Sequence, residues 1–378
     1  MVVTRLALRN FRSHEAAEVR LGPGLTVIAG DNGVGKTNLL EAIYFACTGR
    51  SCRTANEREC VRFGAQVLRL ELEAEHDGDT HEIAVGFEPG EAKRLTVDGA
   101  EVERLTDSSA RPLVSVFLPD RLELVLGAPA LRRAHLDQLV AALWPGRTGT
   151  RRAYSAALAQ RNALLSAIRA GRAGQGSLPA WDLELARHGV ALARDRGQAV
   201  DRLQSGFAKH AATLGLEGEV ELRYRPRSAA STPEELAAEL AERTQSDLER
   251  GFTGHGPHRD ELVFRRAARE LRTYGSRGQQ RLGLLALLLA ERETLASERG
   301  AAPLMLLDDV MSELDAERRG RLVELLAEGG QSVIATTELA HVPGADAPGV
   351  ARLVIEGGVV HQEAEPVASR RRDRTLAG

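Results

Sequence analysis

An α/β fold split around a helical insert is the architecture this sequence predicts, and three observations carry it. The stretch VIAGDNGVGKTNLLEAIYFA sets a glycine-rich loop between a short apolar run and a helical one, and most of the chain later PLMLLDD is a second apolar run ending in two carboxylates. Between them, residues from about 130 to 215 are rich in Ala, Leu, Arg and Glu at helical spacing. Strand and helix signals alternate at both ends, so one α/β head interrupted by an insert is the economical reading. The expected division is 1–125 and 251–365 for the two parts of the head, 126–250 for the mainly helical insert and 366–378 for a flexible tail.

In chain order, VVTRLALRNF alternates as a strand and LTVIA reads as a buried one. LRLELEAE, THEIAVGFE and AKRLTVDG, between Val67 and Val97, predict an antiparallel sheet beside the loop. VSVFLPDRLELV starts as a strand that Pro119 ends. ALRRAHLDQLVAALW, RRAYSAALAQRNALLSAIRA and the long WDLELARHGVALARDRGQAVDRLQSGFAKHAATLG have helical spacing, with GRAGQGSLPA as a turn before the last. The region is too short for the sustained heptads of a coiled-coil arm. PEELAAELAERTQSDLERG is a helix with Pro233 at an early position, and ELVFRR is a strand. A helix from about Gly278 to Glu293, the strand PLMLLDD, the helix SELDAERRGRLVELLAE and the strands QSVIATT and ARLVIEGG complete the pattern.

With 43% hydrophobic residues the 378-residue chain can bury a substantial core, and with 4% aromatic that core is mainly Leu, Val and Ala, a composition that disfavours aromatic platforms for bases. The net charge of -3 leaves no overall basic surface, so if the protein holds DNA it must do so with local arginine clusters or a surface built from two chains. Cys47, Cys52 and Cys60 lack zinc spacing and make no disulfide framework. The opening has no signal-peptide pattern and the longest apolar run, LGLLALLLA, is too short to span a bilayer, so a soluble cytoplasmic protein without a membrane partner is expected.

GDNGVGKT matches the G-x-x-x-x-G-K-T phosphate loop in full, with strand and helix on its flanks. Gly30, Asp31, Asn32, Gly33, Val34, Gly35, Lys36, Thr37 and Asn38 are therefore the expected ATP contacts. The glycines let backbone N–H groups wrap the phosphates, Lys36 sets its ammonium between the outer ones, and the Thr37 hydroxyl reaches Mg2+. Lys93 and Lys209 are the only other lysines in an arginine-rich chain, which favours Lys36 as a site residue. Asp308, closing an apolar strand, is placed to hold the magnesium shell with Thr37, directly or through water. Asp309 either positions or deprotonates the attacking water or supports Asp308 from behind. Being shorter than glutamate, it predicts slow turnover, with ATP acting partly as a switch.

YGSRGQQRLGLLALLLA opens an apolar helix with a hydroxyl residue, Gly278 and two glutamines. Phosphate loop, this helix, acid pair and SELD, in that order, resemble the ATP-binding-cassette class. More closely, the chain resembles the RecF family: LRNFRSHE, GDNGVGKTNLLEAIYF, FLPDRLELVLGAPALRRAHLD, LAQRNALL, FTGHGPHRDEL, SRGQQR and LLDDVMSELDAERR match in order over nearly the full length. The resemblance implies an ATP-binding-cassette head and a weak DNA-stimulated ATPase that forms an ATP-dependent homodimer. It also implies binding to double-stranded, gapped or junction DNA with RecR, and help in loading RecA, with RecO, during gap repair and the SOS response. In such a dimer Ser276, Gly278 and Gln279 would approach the ATP held by Lys36 of the opposite subunit, where their donors tell ATP from ADP. Asp315 of SELD would sit at the same interface, or cap the helix that follows. No switch histidine follows QSVIATT; Thr336, Thr337 and Glu338 stand there, and Thr337 is the candidate γ-phosphate sensor. The alternatives are an ATP-binding-cassette ATPase of a transport or chromosome-structural pathway, and a scaffold that binds ATP without hydrolysing it.

Candidate DNA contacts are Arg132, Arg133, Arg151, Arg152 and Arg161, with Arg9, Arg12 and the tail residues Arg370, Arg371 and Arg372 as further ones; a solvated helix-face charge is the alternative for each. His255, His258 and Asp260 in GHGPHRDE resemble a metal triad, but Gly256 and Pro257 favour a rigid loop.

Overall fold

Alternating apolar residues build the opening strands β1 (Val2–Phe11) and β2 (His14–Arg20), and the run LTVIA forms the buried β3 (Leu25–Ala29). α1 (Lys36–Thr48), β4 (Leu68–His76), β5 (Asp79–Phe87), β6 (Arg94–Val97), β7 (Ala100–Glu101) and β8 (Val114–Phe117) follow. The chain then turns mainly helical, through α2 (Glu123–Leu126), α3 (Pro129–Leu143), α4 (Thr148–Arg169), α5 (Leu178–Thr213), β9 (Val220–Arg225), α6 (Pro233–Glu242), α7 (Thr244–Arg250), β10 (Glu261–Arg266), β11 (Arg269–Glu270), α8 (Leu271–Tyr274) and α9 (Arg277–Arg299). It returns to α/β character in β12 (Leu304–Asp308), α10 (Ala316–Glu328), β13 (Ser332–Thr336), β14 (Ala351–Glu356) and β15 (Val359–Gln362). This computed structural model describes residues 1–108 and 110–363; the expected tail 366–378, with Arg370, Arg371 and Arg372, lies outside the described residues.

Met1–Pro119 and Gly300–Gly378 make one compact unit, and Asp120–Arg299 makes the other. The expected boundaries at 125 and 250 are therefore corrected. β10 pairs with β9 and α9 packs along α5, which draws the whole stretch up to Arg299 into the helical unit.

Two six-stranded sheets form the first unit. One is antiparallel, in the order β2-β1-β4-β5-β6-β7; the other runs β15-β14-β3-β13-β12-β8 and is parallel from β14 to β8. α1 packs on strands of both sheets, which explains why NLLEAIYFAC is apolar around most of its circumference. Leu39, Leu40, Ile43 and Phe45 join Leu6, Phe11, Leu70 and Leu72 of the first sheet and Ile28, Leu306 and Val333 of the second in one core. In the second sheet β3, β13 and β12 are adjacent and parallel, with Thr336 beside Ala29 and Ala335 beside Asp308. Their carboxyl ends share one edge, the usual place for a ligand in an open α/β sheet.

The second unit is organised on the 36-residue α5, about 54 Å long at 1.5 Å per residue. α3, α4, α6, α9 and β9 pack against it. α6 starts at Pro233 behind a capping box in which Thr232 and Glu235 satisfy each other's backbone N–H groups.

Candidate nucleotide site

β3 delivers the chain to the glycine-rich loop, and α1 takes it up at Lys36. Two glycines are demanded by this path. An added Cβ would lie 2.6 Å from Ile355 O at Gly30 (φ 152), and 2.8 Å from His14 Nε2 at Gly35 (φ 114). Asp31, Asn32 and Gly33 are exposed at the crest, whereas Lys36 is only 7% exposed. Its ammonium donates to Gly30 O (2.6 Å) and Asp31 O (2.8 Å). Burial lowers the Lys36 pKa against the pull of Asp308, Asp309 and Asp31.

Thr37 Oγ1 donates to Asp308 Oδ2 at 2.6 Å, so the two residues assigned to the cation meet from opposite ends of the chain. Burial raises the Asp308 pKa; the Thr37 hydrogen bond opposes that rise and the Asp309 charge adds to it. Asp309 is in the left-handed conformation (φ 48), its N–H donates to Ala335 O at 3.0 Å, and its Oδ1 is buried without a protein partner. An orphaned buried carboxylate oxygen beside the Thr37–Asp308 pair fits a site that takes a cation and its water, and this all-oxygen donor set suits magnesium. At the neighbouring end of β13, Thr336 Oγ1 donates to Glu338 O (3.1 Å) and Thr337 is half-buried. Asn38 differs from the other expected contacts, because its side chain is engaged by Ser13 Oγ (2.8 Å) and Arg53 (3.1 Å).

Sequence reasoning missed Glu41. It is fully buried on α1, one turn beyond Thr37, and binds Arg12 through two hydrogen bonds of 2.9 and 2.8 Å, Arg53 at 3.1 Å and Ser51 Oγ at 2.5 Å. Burial would raise its pKa, but the hydrogen bonds from Arg12 and Ser51 hold it below the ordinary value. A glutamate inside the apolar run NLLEAIYF was the available signal. His14 is buried too, and its Nε2 donates to Gly35 O at 3.1 Å. The β1–β2 turn thus braces the loop, and Arg12, expected at DNA, is engaged by Glu41.

In the second unit Ser276 caps α9. Its N–H donates to Gln279 Oε1 (3.0 Å) and its Oγ accepts from Gln279 N–H (3.3 Å). Ser276, Arg277 and Gly278 are exposed, and an added Cβ at Gly278 would meet nothing nearer than Ser276 Oγ at 3.9 Å. In the first unit Asp315 caps α10, accepting from the Arg318 N–H (2.9 Å) and guanidinium (2.8 Å), and its side chain is exposed.

The RecF/RecN/SMC N terminal domain family matches residues 2–351. A DNA replication and repair protein RecF from Anaeromyxobacter sp. (strain Fw109-5) is 39% identical over 372 residues, covering 95% of this chain and 99% of that protein. This chain belongs to the RecF family. Among solved structures, the recombination mediator protein RecF in the RecFOR pathway matches in its ATPrS form with a TM-score of 0.84 and in its ATP form with 0.83. Both are 28% identical and cover 96% of this chain and 98% of their own. The head fold expected from the RecF resemblance, mixed sheets with flanking helices around a P-loop, is the fold observed.

Within this RecF-family chain, burial divides the arginines expected at DNA. Arg161 is fully buried, with Nε on Asp182 (2.6 Å) and Nη1 on Asp247 (2.6 Å) and Thr253 Oγ1 (2.8 Å). Arg132, 3% exposed, grips Glu261 at 2.6 and 3.0 Å and the Gly127 carbonyl at 3.0 Å. Neither reaches a phosphate backbone, so both are corrected to ion-pair anchors inside the second unit. Arg133 is half-buried and donates to Asp260 O at 2.9 Å. Arg151, its side chain 60% exposed, pairs with Asp137 at 3.0 Å, and Arg152 is exposed.

The GHGPHRDE residues each take separate partners. His255 binds Glu239; His258 accepts from Tyr154 OH (2.7 Å) and donates to Thr253 O (2.9 Å); Asp260 accepts from Tyr224, Arg196 and the Arg227 N–H. Among the described residues no helix is long and apolar enough to cross a membrane.

Proposed function

We propose that this RecF-family chain is an ATP-operated clamp of recombinational gap repair. Two copies close on two nucleotides, bind gapped or single-strand/double-strand junction DNA, and with RecR promote RecA loading, with RecO and RecA acting downstream. The observation that carries the switch is the start of α9. There a capping serine, an exposed helix amino terminus and a glycine that its own surroundings do not require are presented outward. Such a group suits an anion brought by another molecule. Ser276 and Gly278 of the partner subunit would then complete the phosphate site begun by Lys36.

At that site Lys36 stabilises charge on the outer phosphates, and the first-turn N–H groups of α1, which have no intrahelical acceptors, add further donors. Thr37 and Asp308 would hold magnesium, which when bound would supply positive charge to offset that of the phosphates. Asp309, with its unpartnered buried oxygen, is the acceptor for the attacking water's proton. Thr337, beside the same edge, senses the outermost phosphate. Arg151 and Arg152 are the exposed candidates for DNA phosphates. The names of the relatives, DNA replication and repair protein and recombination mediator, support the pathway.

The test is ATP turnover per chain across protein concentration, with and without gapped duplex, at two salt levels. Turnover that rises cooperatively with protein concentration and is stimulated by DNA in a salt-sensitive way is expected. Flat, DNA-independent turnover would overturn the clamp, and ATP binding without turnover would leave a scaffold.

A further inference from the structure

The start of α9 has an inner side as well as an exposed one. Gln280 is only 4% exposed, and its Nε2 amide donates to Leu271 O and Gly275 O, each at 2.9 Å, with Arg272 O further off at 3.4 Å. Leu271 and Arg272 belong to α8, a single turn, and so short a helix leaves its last carbonyls without helical partners. One amide from α9 therefore gathers oxygens from α8 and from the turn that leads to Ser276.

The corner is tight. An added Cβ at Gly275 would lie 2.7 Å from Leu271 O and 3.4 Å from Gln280 Cγ, and one at Gly283 would lie 2.9 Å from Leu271 Cδ1. Gln280 and Gly283, three positions apart, thus face α8 from one side of α9, while Ser276 and Gly278 stay exposed. Gln280 Oε1 is buried with no protein partner among the described residues. Burying an unpaired amide oxygen is costly, and a methionine of nearly the same shape would fill the space without that cost. What the glutamine brings is its N–H donors.

We propose that Gln280 is a positioning residue. By holding Leu271 O and Gly275 O it fixes the Gly275–Ser276 turn, and with it the direction of the donors that meet the partner subunit's ATP. It also engages carbonyl oxygens that would otherwise repel an arriving phosphate. The inference rests on the reading of α9 given above, and the experiment separates the two.

The full chain as wild type, Ser276→Ala, Gln280→Met, Gln280→Glu and Gln280→Lys is compared by sedimentation with Mg-ATP. Each is also titrated with a fluorescent ATP analogue at protein concentrations too low for dimers. Gln280→Met keeps the shape and loses the donors. It is expected to weaken the ATP-dependent dimer about tenfold, the scale of one or two buried hydrogen bonds, and to leave nucleotide binding by the single chain unchanged. Gln280→Glu sets a carboxylate against the same carbonyls and should lose at least as much. Gln280→Lys restores donors, as the Lys36 ammonium supplies them to Gly30 O and Asp31 O, and should recover most of the dimer.

A Gln280→Met dimer as tight as wild type overturns the positioning role. If Ser276→Ala has then lost its dimer the α9 reading stands, and if it has kept it that reading falls too. Equal loss with methionine and with lysine also overturns the proposal, because packing and not the donors is then at work. Should methionine prevent folding, seen as a lost thermal transition, the other two variants decide. A dimer with lysine and none with glutamate supports the proposal, and equal behaviour overturns it.

Discussion

His258 is kept neutral by its surroundings. Burial pushes its pKa down to about 4, with Tyr154 OH on one ring nitrogen and Thr253 O on the other. In the unfolded chain the same ring protonates near its ordinary value of about 6.5. The unfolded state therefore binds the extra proton first. Stability is complete above about pH 6.5 and is lost as the pH falls toward 4, at up to about 1.4 kcal/mol per pH unit for this one group. His210, whose pKa burial also lowers, acts with the same sign. Urea midpoints should drop between pH 7.5 and pH 5 in wild type, and drop less in His258→Gln. An equal drop in both would place the proton uptake elsewhere. The sequence offered His258 only as a neighbour of His255 and Asp260. Its actual contact, Tyr154, lies 104 positions away, beyond what local spacing can express.

At the scale of elements, Ser276 has two separable tasks. As a cap it contributes about 1 kcal/mol to the start of α9. Ser276→Ala should cost that much in chemical denaturation. Ser276→Asp should keep the cap, since aspartate is an equally good acceptor there, yet place a negative charge against the phosphate. If the start of α9 meets ATP across a dimer, both variants lose ATP-dependent dimerisation in sedimentation. If it only caps, Ser276→Asp behaves as wild type. The strand, loop and helix of the phosphate site were legible because their signal is local: LTVIA, the glycines and NLLEAIYFAC follow one another. Glu41 was not legible, because Arg12, its strongest partner, comes from a hairpin 29 residues away. Arg161 was misread for a related reason. An arginine on a helix looks the same in sequence whether it faces water or two aspartates, and Asp247 is 86 positions distant.

The whole chain holds two compact units, and their boundaries escaped the sequence because the apolar run of α9 announces burial without naming what buries it. Calorimetry should show two transitions. Mg-ATP should raise the one belonging to Met1–Pro119 with Gly300–Gly378, by about 2.7 kcal/mol at a hundred times the dissociation constant. Equal movement of both would show that the chain unfolds as one. The place of β3 between β13 and β14 also bears on how the protein is made. At ribosomal speeds of about 5–20 residues per second, the strand that carries the phosphate loop emerges roughly 15–60 s before either neighbour exists. For that interval the nascent chain presents an unpaired apolar strand, while Asp120–Arg299, contiguous in sequence, is complete first. An early stop codon anywhere before β13 thus removes both hydrogen-bonding partners of β3, however intact the loop beyond it is in sequence.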